Sequence, residues 1–576
     1  MPMRNAEIAE AMSELGTLYE LDGAVRYRVI AYKEAARVIR QSPVSVEELA
    51  LAGRATELPG IGDTLQEKIV ALVETGEIPS ATKLKAKYPA SLIEVTRIPG
   101  LGAKTVRKLY DELGVSSLEE LREAAEGERI RGLKGLGPKA EENVLAALAR
   151  LGDEGPAERM LLSDVLPVAE ELAGALREHP AADRVEVAGS ARRRAETCKD
   201  IDLIATASDP KALAVALTEH ELAAQSGSAG PAGTRITTYN GISVDLRIVE
   251  PDAYGNLLQH FTGSAAHNID LRERAVKQGL SVSEHGILES ESGEVARYAT
   301  EAEVYGRLGL SYVEPELREG NGEIASAAAG ELPELVIQDQ IRGDLHCHTT
   351  LSDGRNSLEQ MAEGARDRGY AYLAVTDHSA SHGFGNHVTA DQLLERVEEI
   401  AAYNAASTGR FTLLAGSEVN IGTDGELDYE PEVLERLDWV IASVHTSFRI
   451  SPKRMTERVI AAIENPLVDC IGHPTGRLIN KREPYEIDIE AVAAAAAEHR
   501  TLIEINGNPN RRDLSEAHAR LARDAGAMIV VNTDAHGVDT LANMQYGIAT
   551  ARRAWLTKAD IANTRTWKQL LKLRGR

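Results

Sequence analysis

Seven short apolar runs in the second half of the chain alternate with helical stretches, and nearly every run ends in histidines or carboxylates. Alternation of this kind is typical of a parallel βα barrel. Barrel enzymes carry their chemistry at the carboxyl ends of the strands, so we expect these polar residues to meet at one mouth. The predicted strands are 342–345, 371–375, 411–415, 438–444, 468–471, 501–505 and 527–532.

Nine residues at the ends of these runs form a candidate metal site. His346 and His348 share one face of an extended chain while Cys347 faces away. Mixed imidazole and carboxylate ligation suits Zn²⁺, Mn²⁺ or Fe²⁺, and the set could hold about two to three ions. A single histidine at a strand end is usually structural, but nine polar residues in one pattern argue for a metal cluster. The candidate ligands are His346, His348, Asp353, His378, Glu418, His445, His473, Asp534 and His536.

Other polar residues accompany this set. Arg477 and Arg511 follow two of the runs, and each could either clamp a phosphate or lie at the surface. The sixth run ends in Glu504-Ile505-Asn506, a further polar constellation. These residues leave the metal prediction unchanged.

The first 150 residues read as helices with a Gly-x-Gly motif repeated three times. A hairpin of this kind opens a helix and points backbone N–H groups at the positive end of the helix dipole, where a phosphate oxygen can sit. One copy would more often be a tight turn only, but three copies favour non-specific phosphate binding. The segments are 58–62, 98–102 and 133–137, and they resemble the helix-hairpin-helix motifs of DNA repair proteins. The resemblance implies that the DNA backbone is held at Gly60, Gly62, Gly100, Gly102, Gly135 and Gly137.

Three carboxylates mark the region after residue 155, where strands mix with helices. Asp200 and Asp202 share one face of a predicted strand, and Asp245 lies in another. Three carboxylates on adjacent strands can hold two Mg²⁺ or Mn²⁺ ions for phosphoryl transfer. Ser190 and its backbone amide would hold a triphosphate, and Arg193 could neutralise charge on the outer phosphates.

Residues 1–315 resemble a family X DNA polymerase of the DNA polymerase beta type, on the hairpins, the Gly189-Ser190 pair and the three carboxylates. The resemblance implies a nucleotidyltransferase palm with Asp200, Asp202 and Asp245 as catalytic metal ligands. It also implies dNTPs and gapped or primer-template DNA as substrates. Its implied nucleotide contacts are Gly189, Ser190, Arg193, Phe261, Gly263, Asn268 and Arg272.

Lys68 raises the question of a lyase. It matches the family's Schiff-base lysine, but Thr64 and Arg28 stand where that family has supporting lysines. A lysine with a depressed pKa is nucleophilic. The alternative is a phosphate-binding or solvated lysine, and the sequence favours that alternative.

The C-terminal half resembles a PHP domain, because all nine positions of its metal signature are filled. This resemblance implies metal-activated hydrolysis of phosphoesters, namely 3′→5′ exonuclease activity with possible 3′-end or abasic-site processing. Joined to the polymerase half, it identifies the chain as similar to the bacterial and archaeal family X polymerases with a C-terminal PHP domain. A PHP phosphoesterase whose polymerase half only binds DNA is the alternative.

Composition agrees with a cytoplasmic enzyme. No apolar run reaches the ~18 residues that span a bilayer, and the three cysteines are widely spaced. The net charge of −25 is compatible with DNA binding, because the first 150 residues are nearly neutral and bound cations would offset part of it. We expect a monomer that does not bind membranes.

The expected fold is multidomain, α+β and α/β. It comprises a helical helix-hairpin-helix region, a polymerase beta-like palm and thumb, and a distorted (β/α)7 PHP barrel. The expected domains are 1–80, a helical DNA-binding domain with the first hairpin; 81–155, a fingers-like domain with the other two; 156–250, the palm; 251–315, the thumb; 316–337, a linker; and 338–576, the PHP domain.

Overall fold

The computed structural model describes residues 3–574 except 90, 99–100, 151–158, 382–386, 408 and 410. It divides into two compact units. No helix within the described ranges is both long and apolar enough to cross a bilayer. The first unit comprises Met1–Arg159, Val168–Glu186 and Lys199–Val249, and the second comprises Met160–Pro167, Val187–Cys198 and Glu250–Arg576.

The N-terminal region of the first unit is helical, as predicted. Helix α1 buries Ile8, Met12 and Leu15 at helical spacing, and these side chains belong to one continuous apolar core. The helices are α1 Asn5–Leu21, α2 Arg26–Gln41, α3 Val46–Leu51, α4 Asp63–Thr75, α5 Pro79–Lys85, α6 Ser91–Thr96, α7 Ala103–Leu113, α8 Leu118–Glu126 and α9 Pro138–Arg150.

The hairpin glycines precede helices α4, α7 and α9. Gly60 and Gly135 have φ angles of 77° and 88°, which only glycine adopts readily. Gly62 and Gly102 have negative φ angles, and a Cβ atom added at either would meet nothing within 4 Å. Neither backbone geometry nor packing within the described residues therefore requires glycine at these two helix starts. Gly100 lies outside the described residues.

A five-stranded sheet follows, in the order β2-β4-β7-β6-β5. Strands β4 and β7 are parallel neighbours, as the three carboxylates required. In chain order the elements of this region are β1 Met160–Leu161, α10 Leu162–Glu178, β2 Ala182–Val187, α11 Gly189–Arg192, β3 Thr197–Cys198, β4 Asp200–Ala207, α12 Pro210–Thr218, β5 Ala223–Ser226, β6 Gly233–Thr238 and β7 Ser243–Ile248; β1, α11 and β3 belong to the second unit.

The thumb region of the second unit combines helices with a three-stranded antiparallel sheet of order β10-β9-β8. Its apolar core includes Leu271, Val304 and Leu308. The elements are α13 Tyr254–Thr262, α14 Ala265–Val276, β8 Leu280–Ser283, β9 Gly286–Glu289, β10 Val295–Ala296, α15 Glu301–Arg307 and α16 Glu323–Ala329.

The segment 316–337, expected as a linker, is largely packed. Arg318 is fully buried and pairs with Glu301 at 2.5 Å. Glu323, at the start of α16, is also fully buried and lies 2.8 Å from the ring of His267. This buried ion pair and this buried hydrogen bond join the segment to the thumb, and its linker-like composition gives no sign of them.

The C-terminal region forms the predicted barrel. Seven parallel strands follow one another in chain order, and a bridge between Cys347 and Ala535 nearly closes the ring. Leu345, Leu414 and Val530 belong to one buried apolar cluster, and a larger cluster includes residues of the strands and the surrounding helices. The elements are β11 Gly343–Asp344, α17 Leu358–Asp367, β12 Tyr372–Val375, α18 Ala390–Ala406, β13 Thr412–Asn420, α19 Pro431–Leu434, β14 Trp439–Ser443, α20 Pro452–Glu464, β15 Cys470–Ile471, α21 Ile489–His499, β16 Leu502–Asn506, α22 Glu516–Asp524, β17 Ile529–Asn532, α23 Met544–Arg553 and α24 Trp567–Arg574.

Substitution of the first hairpin tests the distinction between its two glycines. Gly60→Ala forces an alanine to a φ of 77° and should destabilise helix α4 locally by about 1 kcal/mol. Gly62→Ser places a favoured N-cap residue in open space and should leave the helix unchanged or slightly more stable. Hydrogen exchange of the α4 amides in the full chain measures both effects, and equal protection in the two variants would contradict the assignment.

Candidate active sites

The barrel brings the nine candidate ligands together, and we call this set the barrel cluster. Eight of them fall into three groups, and within each group the ligand atoms lie within 4.8 Å of one another. The ninth, His473, places Nε2 2.8 Å from Glu418 Oε1. The three groups are His348, Asp353, His378 and His536; His346, His348 and Asp534; and His378, Glu418 and His445.

Glu418, fully buried on β13, is the centre of the barrel cluster. Its Oε1 lies 2.8 Å from His473 Nε2 and 3.3 Å from His445 Nε2. Its Oε2 lies 2.9 Å from His378 Nδ1 and 3.4 Å from His346 Nε2. One carboxylate therefore bridges histidines that follow four different strands.

Several separations in the barrel cluster fit ligands of a shared ion better than hydrogen bonds. His346 Nε2 lies 3.4 Å from Glu418 Oε2, and His536 Nε2 lies 3.3 Å from Asp353 Oδ2. Ordinary N–H···O bonds measure about 2.7–3.2 Å. Two ligands held about 2.0–2.1 Å from one ion lie about 3–3.5 Å apart. Nδ1 of the buried His348 also makes no hydrogen bond with any described residue, so the set fits divalent cations.

Charges within the barrel cluster depend on one another. Burial would raise the pKa of Glu418, but the neighbouring His346, His445 and His378 lower it well below its usual range. Burial would lower the pKa of His346, but Glu504 and the cluster carboxylates raise it well above its usual range. A divalent cation on His346 would replace its imidazolium proton, so metal binding and proton release are coupled there.

Glu504 supports the barrel cluster from behind. Its Oε1 lies 2.7 Å from His346 Nδ1, and its Oε2 accepts a 2.7 Å bond from the backbone N–H of His473. Asn506 donates to both Glu504 and Asp534, at 3.1 Å each. The bond on Nδ1 leaves Nε2 of His346 for a metal. The sequence placed Glu504 and Asn506 at the end of the sixth strand. Only their contacts show that they orient the candidate metal ligands and are not candidate ligands themselves.

Arg511 and Arg477, left open by the sequence, have different surroundings. Arg511 Nε lies 3.5 Å from Asp534 Oδ2, beside the barrel cluster. Arg477 instead pairs with Glu196, its Nη1 lying 3.2 Å from Oε2. Of the two, Arg511 is therefore the candidate for a phosphate contact.

The palm carboxylates meet in the first unit. Parallel pairing of β4 with β7 places Asp202 directly opposite Asp245, with Asp200 two residues earlier on the same face. Ile201 and Val244, on the other face, are fully buried. This is the alternation that the sequence predicted, and it leaves three carboxylates on one surface.

Arg235 is a neighbour that the sequence reasoning missed. It forms a two-bond pair with Asp245, with Nε to Oδ1 and Nη2 to Oδ2 both at 2.9 Å. The hydrogen bond with Asp245, and the charges of Asp200 and Asp202, raise the pKa of Arg235. Arg235 thus contacts Asp245 directly, and the charges of the other two carboxylates also favour a cation at this place. The sequence shows an arginine in the strand before that of Asp245. It does not show the register of the two strands, so it could not predict that these residues face each other.

Residues expected to bind nucleotide also lie in the second unit. Gly189, with φ of 64°, begins helix α11, and Ser190 is half-buried. Arg193 Nη1 donates to the carbonyl of Thr262 at 2.5 Å. A Cβ atom added at Gly263 would lie 3.2 Å from that Nη1 atom. The structure therefore brings Arg193 and Gly263 together.

The other thumb candidates differ in exposure. Asn268 donates to the carbonyl of His260 at 2.9 Å and accepts a 2.8 Å bond from Gln259. Phe261 meets the His260 ring edge-on, with centroids 5.3 Å apart. Arg272 is exposed on α14. Asn268 and Phe261 are therefore held by neighbours, whereas the Arg272 side chain extends into solvent.

Lys68 is half-buried on helix α4. Its Nζ lies 3.4 Å from Ser80 Oγ. This contact is compatible with a phosphate-binding lysine and with a nucleophile, so the lyase role stays a prediction.

Four family models match parts of the chain. They are a helix-hairpin-helix domain over residues 3–78, a SAM-like helix-hairpin-helix tandem over 92–150, a DNA polymerase beta thumb over 257–319 and a PHP domain over 344–508. Both halves of the predicted fold are therefore confirmed by independent matches.

Curated relatives fall into two kinds. The "DNA polymerase/3'-5' exonuclease PolX" of Bacillus subtilis (strain 168) is 36% identical over 572 residues, covering 99% of each chain. A probable phosphatase of Thermoanaerobacter sp. (strain X514) is 33% identical over 240 residues, which is 38% of this chain and 89% of the relative. A probable phosphatase of Vibrio atlanticus (strain LGP32) is 34% identical over 34% of this chain and 79% of the relative.

Thermal unfolding with and without metal tests the barrel cluster. Mn²⁺ at a hundredfold excess over its Kd should stabilise the chelator-treated protein by about 2.7 kcal/mol, because the ion binds the folded state. His346→Ala should lose most of this gain, whereas His499→Ala, at an exposed helix end, should keep it. Calorimetry of the three proteins measures the difference, and an equal gain in all three would contradict the site.

Proposed function

The chain belongs to the family X DNA polymerases that carry a C-terminal PHP domain, and on that basis we propose that it is a bifunctional DNA repair enzyme. Its palm adds dNMPs to primer 3′-ends at gaps, and its PHP barrel removes or cleans those ends as a 3′→5′ exonuclease. One observation supports this most strongly: both sets of candidate metal-binding residues are complete in a chain similar to a polymerase–exonuclease over its whole length.

Nucleotide addition is assigned to the palm. Asp200, Asp202 and Asp245 would hold the divalent cations, Mg²⁺ or Mn²⁺. Two such ions would, when bound, neutralise charge on the attacking and leaving oxygens. Asp245 is also the candidate acceptor for the proton of the primer 3′-hydroxyl. It must first leave Arg235, which now forms two bonds with it. Arg235 therefore compensates the charge of Asp245 before the cations bind.

Nucleotide binding is assigned to the residues that the resemblance implies. Gly189, Ser190 and Arg193 hold the phosphates. Arg193 already reaches the thumb through the carbonyl of Thr262. The thumb contacts to sugar, base and template side are Phe261, Gly263, Asn268 and Arg272.

Hydrolysis is assigned to the barrel cluster, which we propose holds Mn²⁺, Zn²⁺ or Fe²⁺. Such ions, when bound, activate a water and stabilise the leaving oxyanion. Glu504 fixes the orientation of His346, and Asn506 fixes that of Asp534. Arg511, beside Asp534, is placed to attract the DNA phosphate.

DNA binding is assigned to the three hairpins. Gly62 and Gly102 are exposed N-cap residues of α4 and α7, and the first N–H groups of a helix can bind a phosphate oxygen. We further propose the domain division set out from the sequence, except that 316–337 packs with the thumb and is not a separate linker. We also propose a monomeric state and a cytoplasmic location.

The alternative of a phosphoesterase with a decayed polymerase half is less well supported. The probable phosphatases match only about a third of the chain, whereas the polymerase–exonuclease matches it throughout. The palm also retains Asp200, Asp202 and Asp245 in register on adjacent strands.

Two substitutions should separate the activities in a gapped primer-template assay with Mg²⁺ or Mn²⁺. Asp245→Ala should reduce dNMP addition by roughly 10²–10³-fold or more and spare hydrolysis, and His346→Ala should do the reverse. Asp183→Ala removes an exposed acid on strand β2 and should change neither rate. Loss of both activities in one variant, with the fold intact by circular dichroism, would contradict the two-site assignment.

A charge at a hairpin glycine tests DNA binding. Gly102→Asp supplies a favoured N-cap residue, so the fold should hold, but it places a carboxylate where a phosphate would sit. We expect Kd for gapped DNA to rise about tenfold at low salt. Val25→Asp adds the same charge at the start of α2, away from the hairpins in sequence, and should have little effect. Filter binding compares the variants, and equal affinities would remove this hairpin from the interface.

A further inference from the structure

The short segment that follows helix α11 is held by three arginines of the PHP region. Arg477 pairs with Glu196 through both terminal guanidinium nitrogens. Arg512 donates both of its Nη groups to the carbonyl of Arg194, at 3.1 Å each. All of these residues belong to the second unit. The segment 193–196 directly follows helix α11, which begins with Gly189 and Ser190. The PHP barrel therefore holds the chain at or next to the proposed phosphate contacts.

Arg512 makes this attachment stiff. It is fully buried, and its Nε donates to Thr550 Oγ1 at 2.8 Å. Burial lowers the pKa of Arg512 to about 10. A buried guanidinium that lost the carbonyl of Arg194 would be left with unsatisfied donors, which is costly. Displacement of the segment from the barrel is therefore disfavoured.

A second attachment reaches the Arg193 side chain. Glu319 accepts hydrogen bonds from Arg193 Nε at 2.9 Å and from Arg553 Nη1 at 2.8 Å. The same Nη1 of Arg553 also donates to the carbonyl of Arg193 at 2.9 Å. If Arg193 turns towards a nucleotide phosphate, Arg553 still neutralises Glu319. The Arg553 guanidinium thus compensates Glu319 when the Arg193 side chain moves, and its bond to the Arg193 carbonyl keeps the Arg193 backbone in place.

We propose that Arg477, Arg512 and Arg553 of the PHP region are positioning residues for nucleotide addition. They act through Glu196, Arg194 and Glu319 on the segment that begins at Gly189, and they do not touch the nucleotide. The inference rests on the proposed function, which assigns Ser190 and Arg193 to the dNTP phosphates. It makes dNTP binding depend on barrel residues that are not metal ligands.

The Glu196–Arg477 pair is the best place for a test, because Arg512 is too deeply buried for a clean substitution. The side chains of Arg477 and Glu196 are 14% and 24% exposed. A matched control exists in Arg552 and Glu316, which pair at 2.8 Å with side chains 17% and 12% exposed. The control pair resembles the test pair in burial and chemistry, but no described contact joins it to 193–196.

Steady-state gap filling by the full chain should compare wild type, Glu196→Gln, Arg477→Gln and the double variant. Each single variant should raise KM for dNTP by roughly tenfold with kcat unchanged, because the phosphate-binding segment is loosened while the carboxylates are intact. The double variant should be no worse than either single one, since both remove the same interaction. Exonuclease activity of Glu196→Gln should match wild type.

The control pair is carried through the same series as Glu316→Gln and Arg552→Gln. It should leave KM for dNTP unchanged even where it lowers thermal stability. If wild type adds no dNMP, the proposed function fails and the inference fails with it. If wild type polymerises but Glu196→Gln keeps its KM, or if the control pair raises KM equally, the inference alone is overturned.

Discussion

A carboxylate buried at the centre of a nearly closed barrel constrains the whole C-terminal half. Barrel interiors are normally filled by branched apolar side chains, and Leu345, Leu414 and Val530 are buried here in that way. Glu418 instead brings a charge that would cost several kcal/mol if it stayed unpaired. Histidines after four strands converge on it, and behind them Glu504 and Asn506 fix orientation. The interior is stable only if the charges balance, which is the condition that divalent cations satisfy.

The palm meets the same requirement differently. Its three carboxylates lie on a sheet surface rather than inside a barrel, and Arg235 compensates them while two-thirds of its own side chain stays exposed. An exposed guanidinium can leave at modest cost, whereas Glu418 of the barrel cluster is fully buried. A small part of the acidity behind the net charge of −25 lies at these two sites, where bound cations would offset it. The hairpins lie in a region of the sequence that is nearly neutral.

The sequence predicted the parts of the molecule that depend on local pattern. Apolar runs placed all seven barrel strands to within a few residues, although β13 continues to Asn420 and so contains Glu418 within the strand. Period-2 alternation put Asp200 and Asp202 on one face, and the nine barrel residues do meet. The sequence could not predict side-chain pairs that depend on strand register or on contacts between segments distant in the chain. Arg235 faces Asp245 only because of the β6–β7 register. Arg318 is buried against Glu301 although its segment reads as a linker, and Glu196 meets an arginine far along the chain.

Anomalous diffraction from crystals grown with Mn²⁺ tests the central claim most directly, because it locates the ions without reference to activity. The account predicts anomalous density within the three ligand groups of the barrel, in contact with Glu418 and its histidines. A well-ordered barrel with no anomalous density near Glu418 at saturating Mn²⁺, Zn²⁺ and Fe²⁺ would contradict it.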